Sequence, residues 1–429
     1  MGVYLPIILA FALLLSGVPV TFALIGATLV YFAFMTDTLP LTMIAQKLVS
    51  AQMSYTLLAV PYFLMVGSIM NYSGITKRLM TFCDLLLGHR VGGLAQVNVL
   101  LSTINGGICG SGAADAAVQC KILVPEMSKR GYPIAFSAAV TAASGLIAPI
   151  VPPGVGLILY GIMTETPIGH MFAAGYIPAI LMCAFEMVVV ALISHRKHYR
   201  PSRDRRASLK AILLALRDSI WSLIVPLVII VGLRGGLFTV TEGAVVIIVL
   251  CFLVGLFYYR DLHLSDMPKI LKETFRSTGT IMAMILSAVL FGMYLSWARI
   301  PQDVTTWMLS FTNSPIVFLL MVNVLLLIFG MFLDGTAMLM IMTPLLYPAA
   351  QAFGINGIQF GMLMIINSSI GSLTPPLGGL MYVTCKLCNV TIVDFVKHVW
   401  PFIVALMIVL VLIMVIPQIS TFLPQLIYG

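Results

Sequence analysis

The chain has 429 residues, 60% of them hydrophobic and 9% charged, with a formal net charge of +8 and a mean hydropathy of +1.08. A membrane span needs only ~20 apolar residues, so this composition describes a polytopic membrane protein. It excludes a soluble domain, because no polar stretch is long enough to enclose its own core, and the basic residues lie in short loops between apolar runs, which is a topology signal and not a nucleic-acid surface.

The N-terminus lacks a basic n-region and a cleavage site, so it reads as a first membrane segment. Residues 5–34 are apolar and broken at Ser16-Gly17-Val18-Pro19, which fits either two short helices or one kinked helix. Residues 36–52 form a mixed linker, and 55–72 a span stopped by Ser73-Gly74. Residues 75–91 set Lys77, Arg78, His89 and Arg90 among Leu79, Phe82, Leu85 and Leu86, the composition of an amphipathic helix lying in the interface. Residues 92–108 then enter the membrane and run into Gly106-Gly107-Ile108-Cys109-Gly110-Ser111-Gly112. Glycine weakens a helix by roughly 1 kcal/mol relative to alanine, and broken backbone at membrane depth is tolerated only where protein or a water-filled cavity surrounds it. The stretch is therefore expected to be the tip of a re-entrant hairpin, with 113–127 leading out to Lys129-Arg130. Residues 134–160 would span but are interrupted at 144–154, where Pro149, Pro152 and Pro153 remove three amide donors; two half-helices around an unwound centre are expected. Residues 171–193 form the next span. The basic run 195–206 follows, then a surface amphipathic helix at 208–221.

The second half runs similarly. Spans are expected at 222–233, 244–259 and 280–297, with a charged cytoplasmic connection at 260–276. Residues 300–315 are interfacial, 316–331 lead in, Asp334-Gly335-Thr336 form a tip, and 337–348 lead out. Residues 358–383 span with a break at 368–379, and 398–416 form the last span. Basic residues crowd the loops of one side, while the other receives only Lys47, Arg234 and Arg299; this bias places the 195–206 loop in the cytoplasm. Each half thus has the order span, interfacial helix, hairpin with a Gly/Ser/Asp tip, Pro-Pro-broken span, entered from opposite sides. The fold class expected is an all-α membrane protein with an inverted-topology repeat, and paired broken helices point to a central transport site.

Unwound carbonyls and helix C-terminal ends hold sodium in transporters, while half-helix N-termini face anionic groups. Two or more Na+ ions are therefore expected. One site lies between the first tip (Asn105, Gly106, Ser111) and the first break (Ser144, Gly145, Pro149). The other lies between the second tip (Gly330, Gly335) and the second break (Ser369, Gly371, Thr374). The carboxylate of an organic acid is placed near Ser111, Gly112, Asp334, Thr336 and Thr374. Asp115 is a further candidate, a ligand or proton relay; the reading preferred for it is a first-turn residue bonding its helix's amides. Glu186, mid-span, is expected to pair with a neighbour or face another subunit. The seven cysteines hold one CxxC spacing, Cys385 and Cys388, with no second pair, and are read as packing. No GxxxxGK[ST] loop is present and no HExxH pair, so neither ATP-driven transport nor an intramembrane enzyme is expected; short polar tips suit an occludable site better than a channel.

The segments GGICGSGAADAAVQCKILVPEM (106–127), SGLIAPIVPPG (144–154), FLDGTAMLMIMTPLLYP (332–348) and INSSIGSLTPPLGG (366–379), with LLAVPYFLMVGSIMNYSGIT (57–76) and GLRGGLFTVTEGAV (232–245), give the chain its resemblance. It resembles, over its full length, the large membrane subunit of tripartite ATP-independent periplasmic (TRAP) transporters. The resemblance implies an elevator mechanism in the bacterial inner membrane, sodium coupling, and a periplasmic binding protein that delivers the substrate. It also implies a small four-helix membrane partner, expected to be absent here or encoded separately since nothing precedes Met1. Ser111 and Asp334 match the family's functional tip serine and aspartate; Cys109 and Cys120 depart from its pattern. Scaffold segments are then 1–74, 166–299 and 391–429, interfacial arms 75–91 and 300–315, and transport segments 92–165 and 316–390. Sialic acids, C4-dicarboxylates and sugar acids are the substrates to consider. The nearest alternative is a standalone sodium/carboxylate symporter of the same superfamily.

Overall fold

The computed structural model describes residues 2–34, 41–203, 205–376 and 378–429. They are built from helices. In chain order these are α1 (Leu5–Leu15), α2 (Val20–Phe34), α3 (Leu41–Gln52), α4 (Ala59–Tyr72), α5 (Ile75–Leu87), α6 (Gly93–Cys109), α7 (Gly112–Lys129), α8 (Ile134–Gly145), α9 (Val155–Thr164) and α10 (Ile168–Lys197). The second half holds α11 (Leu209–Arg234), α12 (Val240–Leu253, continued by a π-helical turn to Tyr259), α13 (Met267–Trp297), α14 (Ile300–Phe311), α15 (Pro315–Gly330), α16 (Gly335–Ala352), α17 (Gly357–Gly371), α18 (Gly379–Cys388), α19 (Ile392–Val415) and α20 (Gln418–Tyr428).

Both tips and both breaks stand where glycine and proline forbid a continuous helix. Helices α6 and α7 are joined through Gly110, whose φ of +58° suits glycine. Helices α15 and α16 are joined through residues 331–334, and each break contains a cis Pro–Pro bond, Pro152–Pro153 and Pro375–Pro376. Each hairpin packs around the first half of its own broken span: α6 and α7 on α8, α15 and α16 on α17. Each outgoing helix also reaches across to the other half, α7 onto α18 and α16 onto α9. This exchange is reciprocal, so the repeat read from element order is also a repeat of packing. Helices α10 and α19 cover this group, while α13 packs on α2 and α4, and α12 on α4.

One hydrophobic core runs through both halves. A smaller cluster under α5 joins Leu79, Phe82 and Cys83 to Val97, Leu101, Leu123 and Ala215. That helix is tied at both ends. At its C-terminus, Gly88 O accepts the amides of Ser202 (2.8 Å) and Arg203 (3.0 Å), and Asp84 accepts Ser202 Oγ at 2.6 Å and Arg203 Nε at 2.7 Å. At its N-terminus, Arg78 pairs with Asp261 and stacks 3.9 Å over the Tyr259 ring. Large apolar side chains such as Phe22, Ile180, Leu192, Leu227 and Phe257 face outward, as lipid contact requires. Among the described residues five helical segments are long and apolar enough to cross a membrane, six if α11's two bent parts count as one span.

The apolar 5–34 region is two helices, one of the two readings its sequence allows. Several other expectations are corrected. The linker expected at 36–52 contains α3, whose start lies just past residues 35–40, which are outside those described. The surface helix at 208–221 and the span at 222–233 are one helix, α11, bent by 43° between Val225 and Leu227; the Ser222 read as a boundary is buried and merely polar. The connection at 260–276 is loop only as far as residue 263; its charged second part is the start of α13, because charges on one face do not end a helix. The last span begins earlier, capped by Thr391 Oγ1 on the Asp394 amide (3.2 Å), and α20 was not foreseen. Glu186 pairs with no neighbour among the described residues: it is fully buried, and neither carboxylate oxygen has a hydrogen-bond partner there.

Candidate functional site

The two tips and two breaks meet at a cavity of about 720 Å³, within the range of small-molecule sites. Its lining begins with backbone ends. Four helices start on it: α7 at Gly112, α9 at Val155 and Gly156, α16 at Gly335 and Thr336, α18 at Gly379 and Leu380. Helix N-termini present unsatisfied N–H groups and roughly half a positive charge each, so four converging on one space make it attractive to an anion. Helix C-terminal ends stand beside them: Gly110 after α6, Leu146 after α8, and Ser368, Ser369 and Ser372 around the end of α17.

Two of the closest backbone contacts behind the lining explain the tip glycines. A Cβ on Gly112 would lie 2.5 Å from Gly145 O, and one on Gly371 would lie 2.6 Å from Gly330 Cα. Each tip can therefore rest on its break only without side chains there. The Val155 amide also donates to Gly110 O at 3.3 Å, joining first tip to first break.

Of the residues assigned to substrate, Ser111, Gly112, Asp334 and Thr336 line the cavity, and Thr374 does not. Thr374 is buried, its hydroxyl donating to Ile370 O at 2.8 Å. Ser111 is the N-cap of α7 but makes no side-chain cap bond, which leaves its hydroxyl on the cavity side. Asp334 is the N-cap of α16, accepting the Thr336 amide at 3.1 Å. Of the residues assigned to cations, Ser111, Pro149, Gly335 and Ser369 line the cavity. Asn105, Gly106, Ser144, Gly145, Gly330 and Gly371 sit one layer behind it.

That hidden layer corrects the preferred reading of Asp115. Its carboxylate does not bond the amides of α7. Fully buried, it accepts Ser102 Oγ (2.6 Å), Asn105 Nδ2 (2.7 Å) and Gln119 Nε2 (2.7 Å). Ser144 Oγ lies 2.9 Å from Ser102 Oγ and donates to Asn98 Oδ1 at 2.9 Å, while Asn98 Nδ2 donates to Thr141 Oγ1 at 2.7 Å. The network ties α6, α7 and α8 together. Its counterpart in the second half is smaller: Asn367 Nδ2 donates to Asn323 Oδ1 at 2.8 Å and to Asn323 O at 3.0 Å.

The cavity has a further wall that sequence reasoning missed. Ser68 and Asn71 of α4, and Glu273, Arg276, Ser277 and Thr280 of α13, face the two tips. The α13 residues recur every three or four positions, one helical face; reading 260–276 as a loop concealed that periodicity. No cluster that could hold a metal by His, Cys, Asp or Glu occurs among the described residues, so a cation here would rely on carbonyl and hydroxyl oxygens.

The model of the family described as "Tripartite ATP-independent periplasmic transporter, DctM component" matches residues 7–419. The chain is 36% identical to the sialic acid TRAP transporter large permease protein SiaM of Vibrio cholerae, covering 97% of each chain. It is 35% identical to the C4-dicarboxylate TRAP transporter large permease protein DctM of Pseudomonas aeruginosa, covering 89% of each. Against the sialic acid TRAP transporter permease protein SiaT of Haemophilus influenzae it is 35% identical, covering 99% of this chain and 68% of that one. The fold is also similar to the Alcanivorax borkumensis YdaH transporter, with a TM-score of 0.59, 15% identity and 89% of each chain covered. With its apolar helices and a family of transporter permeases behind it, this multi-pass membrane chain belongs to the DctM-component family of tripartite ATP-independent periplasmic transporters.

Proposed function

We propose that the chain carries an organic acid across the bacterial inner membrane by sodium-coupled symport. A periplasmic protein delivers the acid, and a small four-helix subunit assembles with the permease. The observation that carries this reading is the convergence of four helix N-termini and three helix C-terminal ends on one cavity. The N-termini suit a carboxylate and the C-terminal carbonyls suit sodium. Ser111, Gly112, Asp334 and Thr336 contact the acid; the tip and break backbones around Gly110, Pro149, Ser369 and Gly371 hold two or more Na+. Permeases named for sialic acid and for C4-dicarboxylates stand equally near in sequence, which supports a carboxylate and leaves its identity to the binding protein.

The hairpins are re-entrant and inserted from opposite sides, with the 195–206 loop in the cytoplasm. The hairpins and broken spans move as one body past a scaffold that includes α4 and α13. The driving force is electrochemical: each charge crossing gains ~2.3 kcal/mol per 100 mV. Uptake into proteoliposomes holding the permease and small subunit, supplied with the binding protein, should require a sodium gradient. Equal uptake with potassium or choline in place of sodium would refute the coupling.

A further inference from the structure

Among the described residues three charged ones line the cavity: Glu273, Arg276 and Asp334. Both acids are engaged. Glu273 Oε1 accepts the Tyr72 hydroxyl at 2.8 Å, and Asp334 caps α16. Arg276 makes no ion pair and no side-chain hydrogen bond among the described residues. Its neighbours on α13 differ: Lys269 pairs with Asp266 at 3.5 Å, and Lys272 does not line the cavity. Arg276 is thus the one cation facing two hairpin tips whose helix ends already favour an anion.

We propose that Arg276 is a substrate-recognition residue supplied by the scaffold. Its guanidinium takes the carboxylate of the organic acid beside the helix ends at the tips. The planar five-donor fork of arginine matches carboxylate geometry and binds it through charge-assisted hydrogen bonds. The inference rests on the transport reading above and deepens it. Arg276 and Asn71 lie near the ends of α13 and α4 that lead into the basic loops, Lys269 and Lys272 on one side and Lys77 and Arg78 on the other. The cavity therefore faces the basic, cytoplasmic end, and the arginine meets the acid only when the tips stand there. A contact made in one state and absent in the other shifts the equilibrium by its own differential affinity. Arg276 selects charged substrates and also holds the loaded tips at the inner end.

The test uses the permease with its small subunit and binding protein in proteoliposomes, with N-acetylneuraminate, succinate and gluconate as probes. The variants are R276Q, R276K and K272Q. For the probe that wild type moves, R276Q should raise the half-saturating concentration on the cytoplasmic face about tenfold or more, tenfold being ~1.4 kcal/mol, with a smaller change in maximal rate. R276K should recover part of this, and K272Q should match wild type. The methyl ester of the same acid, used as a competitor, should bind R276Q and wild type alike. Unchanged half-saturation in R276Q, or equal weakening of acid and ester, would overturn the proposal. Potassium supporting uptake as well as sodium would refute coupling alone and leave the arginine effect standing. A wild type that moves none of the probes would overturn the transport reading and the arginine's role together.

Discussion

Replacing Gly371 by alanine tests whether the tip-to-break contact is a working part of the site. The new Cβ would lie 2.6 Å from Gly330 Cα and 2.9 Å from Gly330 C. Carbon atoms rest at about 3.5–4.0 Å, so the second hairpin and its break must separate by roughly 1 Å. Both partners are backbone, so no flexible side chain can yield. Overpacking of this kind costs about 1–3 kcal/mol, and a 1 Å misplacement is enough to disable positioned ligands ~100-fold. G371A should lower the thermal melting midpoint in detergent and weaken sodium activation of uptake together. Gly279→Ala serves as the control, because nothing lies within 4 Å of its Cβ and alanine favours a helix by up to ~1 kcal/mol over glycine. A G371A protein with wild-type melting and wild-type sodium dependence would show that the close contact neither shapes nor supports the cation site.

Asp334→Asn separates capping from charge. Asparagine caps as well as aspartate, and loss of a cap costs about 0.5–2 kcal/mol, so D334N should melt like wild type while losing most uptake; retained uptake would remove the carboxylate from the site. Asp115→Asn puts an amide NH2 where three donors converge, leaving at least one without an acceptor at about 1–3 kcal/mol. It should lower the melting midpoint measured by tryptophan fluorescence, and an unchanged midpoint would mean that the network around Ser102 carries no stability.

Breaks were the most legible part of the chain. Glycine and proline act on the backbone wherever they occur, so Gly110, Pro152–Pro153 and Pro375–Pro376 announced both tips and both interruptions without knowledge of packing. Boundaries between polar and apolar helices were less legible. In α11 and α13 a polar stretch continues into an apolar one with no residue that stops a helix, and only the tertiary neighbours decide that both parts belong to one rod. The same limit hid Arg276, since a cation on a helix face and one in a loop look alike until the helix start is known. Asp115 failed differently. A first-turn aspartate usually turns to its own amides, but here Ser102, Asn105 and Gln119 offer three donors from two helices, an arrangement made by the fold.

The fastening of α5 at both ends divides the work between the two halves. With Asp84 and Gly88 held by Ser202 and Arg203, and Arg78 held by Asp261, that helix is a strut anchored to the basic loops. Any travel of the first hairpin must then be absorbed in the few residues between Gly88 and Gly93, where Gly92 has a φ of +72° and a Cβ would strike Ser194. Helix α14 has no such fastening; among the described residues its one side-chain tie to a distant segment is Tyr4 to Asp303. In the transport cycle proposed above, the first half would then swing on a fixed pivot, while the second would be free to carry its own arm along.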